Sequence, residues 1–161
     1  QVREYLGMQR QSFFCSLGGV DTHTDELNQH NTLYPQVSQA LAAFYAATQE
    51  LNVTQNVTTF TESDFSRTFL PTSGNGSDHA WGSHHLVVGG AVKGRAIYGK
   101  FPTFELGGPD DADTRGRWIP TTSVDQYGAT LCSWFGISDQ DLVSVFPNFA
   151  NFGSQKLGFL G

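Results

Sequence analysis

The sequence predicts an α/β domain built on a mainly parallel sheet with flanking helices. Three observations predict it: short apolar runs that stop at glycines or polar clusters, a long helical periodicity between two of them, and histidines and carboxylates gathered where the runs stop. Ser12-Phe13-Phe14-Cys15-Ser16-Leu17, stopped by Gly18-Gly19, reads as a buried strand, with Asp21 and His23 in the loop at its C-terminal end. From about Asn31 to Leu51, Leu33, Val37, Leu41, Phe44 and Ala47 or Thr48 recur at helical spacing, with Pro35 placed where only a first turn tolerates it. Val57–Thr61 is β-branched and short, so strand, helix and strand follow one another, a unit that normally closes as a right-handed crossover between parallel strands.

Further along, Leu86-Val87-Val88 reads as a third strand before Gly89-Gly90. Residues 91–119 form a Gly/Pro-rich excursion with short candidate strands at 96–98 and 103–106 and a turn at Arg115-Gly116-Arg117. Thr122 with Asp125 gives a capping signature for a helix from about Ser123 to Phe135, closed by Gly136, and Ser138 with Asp141 repeats it for a short helix to about Val145. An aromatic tail, 146–152, follows.

Composition narrows the function. At 161 residues the chain reads as one domain, long enough to bury roughly two thirds of the surface of its unfolded form. Nine Lys+Arg against 15 Asp+Glu give a net charge of −6 without a basic stripe, which disfavours nucleic acid as a partner. No run approaches the roughly 20 apolar residues of a membrane span, and the N-terminus lacks the apolar core of a signal peptide. Cys15 and Cys132 are far apart and read as a pair or as free thiols, Cys15 as a buried inert one.

The chemistry concentrates in two clusters, Gly18–His23 and Gly74–His85, which hold four of the five histidines. Aspartate and histidine together are the ligand set of zinc, and aspartate-rich sites also suit calcium, magnesium or manganese, so a divalent metal is the hypothesis, zinc first. Asp21 and His23 lie two apart, which in extended chain puts both on one side; as a helix-entry loop the same pair caps a backbone amide. Asp78 and His79 precede Trp81, His84 and His85, and across a strand at most one of the last two faces the site. His30 reads as a surface or capping residue. Sites in α/β sheets form beyond the carboxyl ends of strands, so Asp64 and Arg67, which follow the 57–61 strand, can converge on the same place. Arg67 is either a bidentate clamp for phosphate or sulfate or a partner of Asp64.

The ordered series Ser16–His23, Thr59–Thr68, Gly76–Gly82 and Gly89–Gly94 resembles the C-terminal part of a family of uncharacterised exported bacterial proteins, usually with twin-arginine signals, that is similar to the alkaline phosphatase and sulfatase superfamily. The resemblance runs from about Ser12 to the C-terminus. It implies part of an alkaline phosphatase-like fold, an extracytoplasmic location and a metal-assisted site for a small anionic ester. It implies Asp21 and His23 as the first carboxylate–histidine pair, Ser63-Asp64 at the position of the superfamily's Ser-Asp-His element, and Asp78 with His79 as the source of the late histidine ligand. Phe65 stands where the superfamily has a ligand histidine, and the first pair is separated by one residue rather than three. The superfamily's nucleophile lies upstream of everything seen here, so the chain reads as a fragment or a reduced version of a longer member.

Two functions follow. One is a metal-dependent hydrolase of phosphate or sulfate esters, with Asp21, His23, Asp64, Asp78, His79 and His84 as metal ligands and Arg67 stabilising charge in the transition state. The other is a noncatalytic extracytoplasmic module that binds metal or anions, or assembles as a homo-oligomer or with a partner chain.

Overall fold

The computed structural model describes residue 5 and residues 7–153 and 155–161. Among the described residues it is an α/β protein with three helices and two small antiparallel sheets: α1 Glu26–Glu50, β1 Thr58–Phe60, β2 Ser66–Arg67, β3 His79–Ala80, β4 Val87–Gly89, α2 Val124–Phe135 and α3 Asp139–Val145. Single 3-10 turns at Thr54–Asn56 and Phe149–Phe152 complete it.

The parallel sheet expected from the strand-helix-strand order is not formed among the described residues. β1 pairs antiparallel with β4, Thr58 opposite Gly89 and Phe60 opposite Val87, and β2 pairs antiparallel with β3, Ser66 opposite Ala80 and Arg67 opposite His79. Residues 12–17 form no strand and lie exposed, Phe13 at 83% and Phe14 at 91%. The physical reason lies in their pattern. Phe13, Cys15 and Leu17 alternate with Phe14, so the run is apolar on both faces and calls for cover on both, as a central strand of a parallel sheet has. Neither two-stranded ribbon supplies that. The 96–98 and 103–106 runs are not strands either; glycines 99 and 107, both at positive φ, bend the chain there.

α1 starts at Glu26, earlier than the apolar periodicity, because Asp25 and Glu26 donate their backbone N–H groups to Gly74 and Asn75 O (2.9 and 3.0 Å) and so anchor the first turn. Pro35 consequently sits inside the helix. Leu33, Val37, Leu41 and Tyr45 form the half-buried stripe, ending in buried Thr48, while Phe44 faces outward at 51% exposure.

The core sits toward the C-terminus. α2 contributes to two apolar groups: Tyr127 and Leu131 with Phe159, against Val87, Leu157 and Leu160; and Ala129 with Leu142 and Phe149, against Cys132, Ile137 and Phe146. Its N-cap is Ser123 rather than Thr122, one residue later than the spacing predicts. The Ser123 Oγ accepts from Gln126 N, and the Gln126 side chain accepts from Ser123 N. Gly136 ends α2 at φ 102, and Ser138 caps α3, both as expected. No helix among the described residues is long and apolar enough to cross a membrane. The chain exposes 11164 Å², well above the roughly 7,900 Å² that size scaling gives a folded monomer of this mass.

Candidate functional site

The two histidine-bearing segments are zipped together through their backbones. Ser77 N donates to Thr22 O at 3.0 Å, Thr24 and Asn75 form an antiparallel bridge, and the Thr72 hydroxyl donates to His23 O at 3.1 Å. Glycine is what allows this approach. A Cβ on Gly76 would stand 2.1 Å from the His23 carbonyl carbon, and one on Gly74 2.8 Å from the Thr24 methyl. The β2–β3 register then sets Arg67 opposite His79, on the same side of the ribbon.

Three side-chain atoms converge as a result. Asp21 Oδ1 lies 3.0 Å from His23 Nε2 and 3.0 Å from His79 Nε2, and the two Nε2 atoms are 3.1 Å apart. All three side chains are about half exposed. Ligand atoms around a tetrahedral zinc at about 2.0–2.1 Å are about 3.3 Å apart, so a slight spreading of this triangle matches a zinc face. The donor set, two imidazoles and a carboxylate, fits borderline divalent metals generally.

Each member is oriented from behind. Arg67 donates from Nη1 to Asp21 Oδ1 at 2.6 Å, from Nε to Ser77 Oγ at 2.9 Å and from Nη2 to Ser77 O. The Ser77 hydroxyl in turn donates to Glu26 at the start of α1. The Arg67 guanidinium, followed by the two histidines, holds the Asp21 carboxyl below the ordinary carboxylate range. The Phe65 ring stacks on His79 at 3.8 Å between centroids and serves as a flat support for it.

Of the residues expected at the site, Asp21, His23 and His79 share it. Asp78 stands at its edge, with Oδ1 3.6 Å from His23 Nδ1 and Oδ2 accepting from Arg115 Nη1 at 2.6 Å. That guanidinium holds its carboxyl low as well. Arg67 is engaged with Asp21 and Ser77 rather than with Asp64. Asp64 is exposed in the turn before β2 and outside the cluster. His84 lies beyond the end of β3, its ring 4.8 Å from that of Phe101, while His85 stacks on Tyr127. His84 lines a cleft of about 360 Å³ with Phe69, Phe104 and Trp118. Sequence reasoning passed over Glu26, Phe65 as a ring support, Arg115 and Arg117. The crowding of Asp110, Asp111 and Asp113 next to the two arginines was the available signal.

A family model described as "Protein of unknown function (DUF1501)" matches residues 3–146. No curated protein and no solved structure matches the chain.

Proposed function

We propose that this chain, which belongs to the DUF1501 family by the match across residues 3–146, carries the metal centre of a metal-dependent hydrolase of phosphate or sulfate esters. The reading takes the reaction class from the resemblance to the alkaline phosphatase and sulfatase superfamily, together with an extracytoplasmic location. The observation that carries it is the triangle of Asp21 Oδ1, His23 Nε2 and His79 Nε2, with edges of 3.0, 3.0 and 3.1 Å at an accessible surface. These three residues would hold the ion, zinc first and calcium, magnesium or manganese after it. Bound there, a divalent cation supplies Lewis-acid polarisation of an ester oxygen and lowers the pKa of water toward neutrality.

The chain's own groups account for the rest. Arg67, held behind the triangle, keeps Asp21 ionised and aimed. Among the described residues no Ser, Thr or Cys side chain bonds to the Asp21, His23 or His79 side chains, so water is the nucleophile of this reading. Asp64 and His84, away from the triangle, have no part in it.

The test is zinc stoichiometry of the purified chain, measured beside turnover of aryl phosphate and aryl sulfate. One zinc per chain, turnover abolished by chelation, and a loss well over tenfold on His79→Ala with the fold intact are expected. Activity in metal-free protein overturns the mechanism.

A specific observation favours a second reading, an assembly module. The bare 12–17 run and the large exposed area suit a chain that packs against another polypeptide. A parent that binds zinc yet turns over neither ester supports this reading instead.

A further inference from the structure

The loop 107–118 lies behind the histidine cluster and is built round one carboxylate. Asp111 Oδ2 accepts from Gly107 N and Gly116 N, both at 3.0 Å, and Oδ1 accepts from Arg117 N at 3.1 Å and Asp113 N at 3.2 Å. Four backbone donors on one carboxylate satisfy nearly all of its lone pairs, so Asp111 is a knot in the chain rather than a free ligand. Desolvation acts to raise the carboxyl's pKa, but the backbone N–H groups, those of Gly107, Gly116 and Arg117 among them, outweigh it and leave the pKa below the ordinary value.

The knot is fastened to the segment that follows β2, the strand of Arg67. Phe69 N and Leu70 N donate to Gly116 O and Arg115 O at 3.1 and 3.0 Å. Gly116, at φ 74, admits no side chain, since a Cβ there would stand 2.3 Å from the Phe69 Cβ. Two arginines then point back from the loop. Arg115 Nη1 donates to Asp78 Oδ2 at 2.6 Å, which sets Asp78 Oδ1 opposite His23 Nδ1. Arg117 Nε donates to the His79 carbonyl at 2.9 Å, and its Nη1 is tied to Asp113.

We infer that this loop is a positioning device for the metal centre: Arg115, acting through Asp78, sets the ring of His23, and Arg117 sets the backbone of His79. The inference rests on the metal reading above. The chemistry is that of an outer shell. A histidine that presents Nε2 to an ion carries its proton on Nδ1, and a carboxylate facing that proton fixes the tautomer and the ring angle. Asp78 Oδ1 stands 3.6 Å from His23 Nδ1, a charge contact that favours the proton on that nitrogen, while Asp21 and His79 stand 3.0 and 3.1 Å from Nε2.

The experiment titrates the 161-residue chain with zinc against a chromophoric chelator, records the visible spectrum of the cobalt(II) form, and follows urea unfolding of the same samples. Arg115→Gln and Arg117→Gln, at side chains about one third exposed, are expected to fold and to bind zinc ten- to a hundredfold more weakly, with a changed cobalt spectrum. Arg115→Lys recovers part of the loss, because it keeps a charge beside Asp78. Lys156→Gln, which removes only the pair with Asp139 and the bond to the Ser133 hydroxyl, leaves affinity at the parent value. A parent that binds zinc while both glutamine variants stay within twofold of it overturns this inference and leaves the metal reading standing. A parent that takes up no zinc overturns the metal reading and the inference with it.

Discussion

Gly76→Ala is the sharpest perturbation of this structure, because one methyl group meets only backbone. The added carbon would lie 2.1 Å from His23 C, 2.3 Å from His23 O and 2.4 Å from Thr24 N. Non-bonded heavy atoms settle at about 3.5–4.0 Å, so the two segments must part by about 1.5 Å. Gly76 is not among the residues at positive φ, so the penalty is steric rather than conformational. Parting strains the bonds from Ser77 N to Thr22 O, from Asp25 N to Gly74 O and from Glu26 N to Asn75 O. Overpacking costs about 1–3 kcal/mol and each lost bond about 0.5–1.5 kcal/mol, giving about 2–5 kcal/mol when the bonds weaken without all breaking. The same movement carries His23 away from His79, and a site that tolerates about 0.5 Å loses at least tenfold in zinc affinity. Urea unfolding and zinc titration of parent and variant read both effects. A variant within about 0.5 kcal/mol and twofold of the parent would refute the zipper as the basis of the site.

Other expectations concern the core and pH. Leu142, 1% exposed, should cost about 2–5 kcal/mol as Leu142→Ala, whereas Leu41→Ala, on the half-buried stripe of α1, should cost about 1–2 kcal/mol; the reverse order in urea unfolding would show that the core is elsewhere. Asp21, Asp78 and Asp111 titrate below the ordinary value of 3.8 in the folded chain. A depressed folded pKa means that the unfolded chain binds protons first as pH falls, so the stability from these groups is present above about pH 4 and is lost through the folded values below it. The stability gap between parent and Asp111→Asn should therefore be full at pH 6 and shrink below pH 4; a gap constant from pH 6 to pH 3 would show that the carboxylate charge is not what holds the 107–118 loop.

The sequence by itself determined the local features. The ends of α2 and α3 were legible, within one residue, because a cap is a short-range exchange between a side-chain oxygen and backbone N–H groups two or three residues on. The apolar stripe of α1 through Leu33, Val37 and Leu41 was legible for the same reason, as was the gathering of Asp21, His23 and His79 into two glycine-flanked clusters. Tertiary structure decided which of these groups meet. Spacing within Gly74–His85 does not say that His79 turns to Asp21 while His84 turns to Phe101; the pairing of Arg67 with His79 across β2 and β3 says it. Nor does spacing reveal that Arg67 serves Asp21 across 46 residues, or that Arg115 reaches Asp78 across 37. Strand direction was misread because the strand-helix-strand order favours parallel pairing only when both strands join one sheet, and the 12–17 run joins none among the described residues. Caps and stripes are written in neighbours along the chain, whereas a site is made by backbone approaches between distant segments, and those follow from packing.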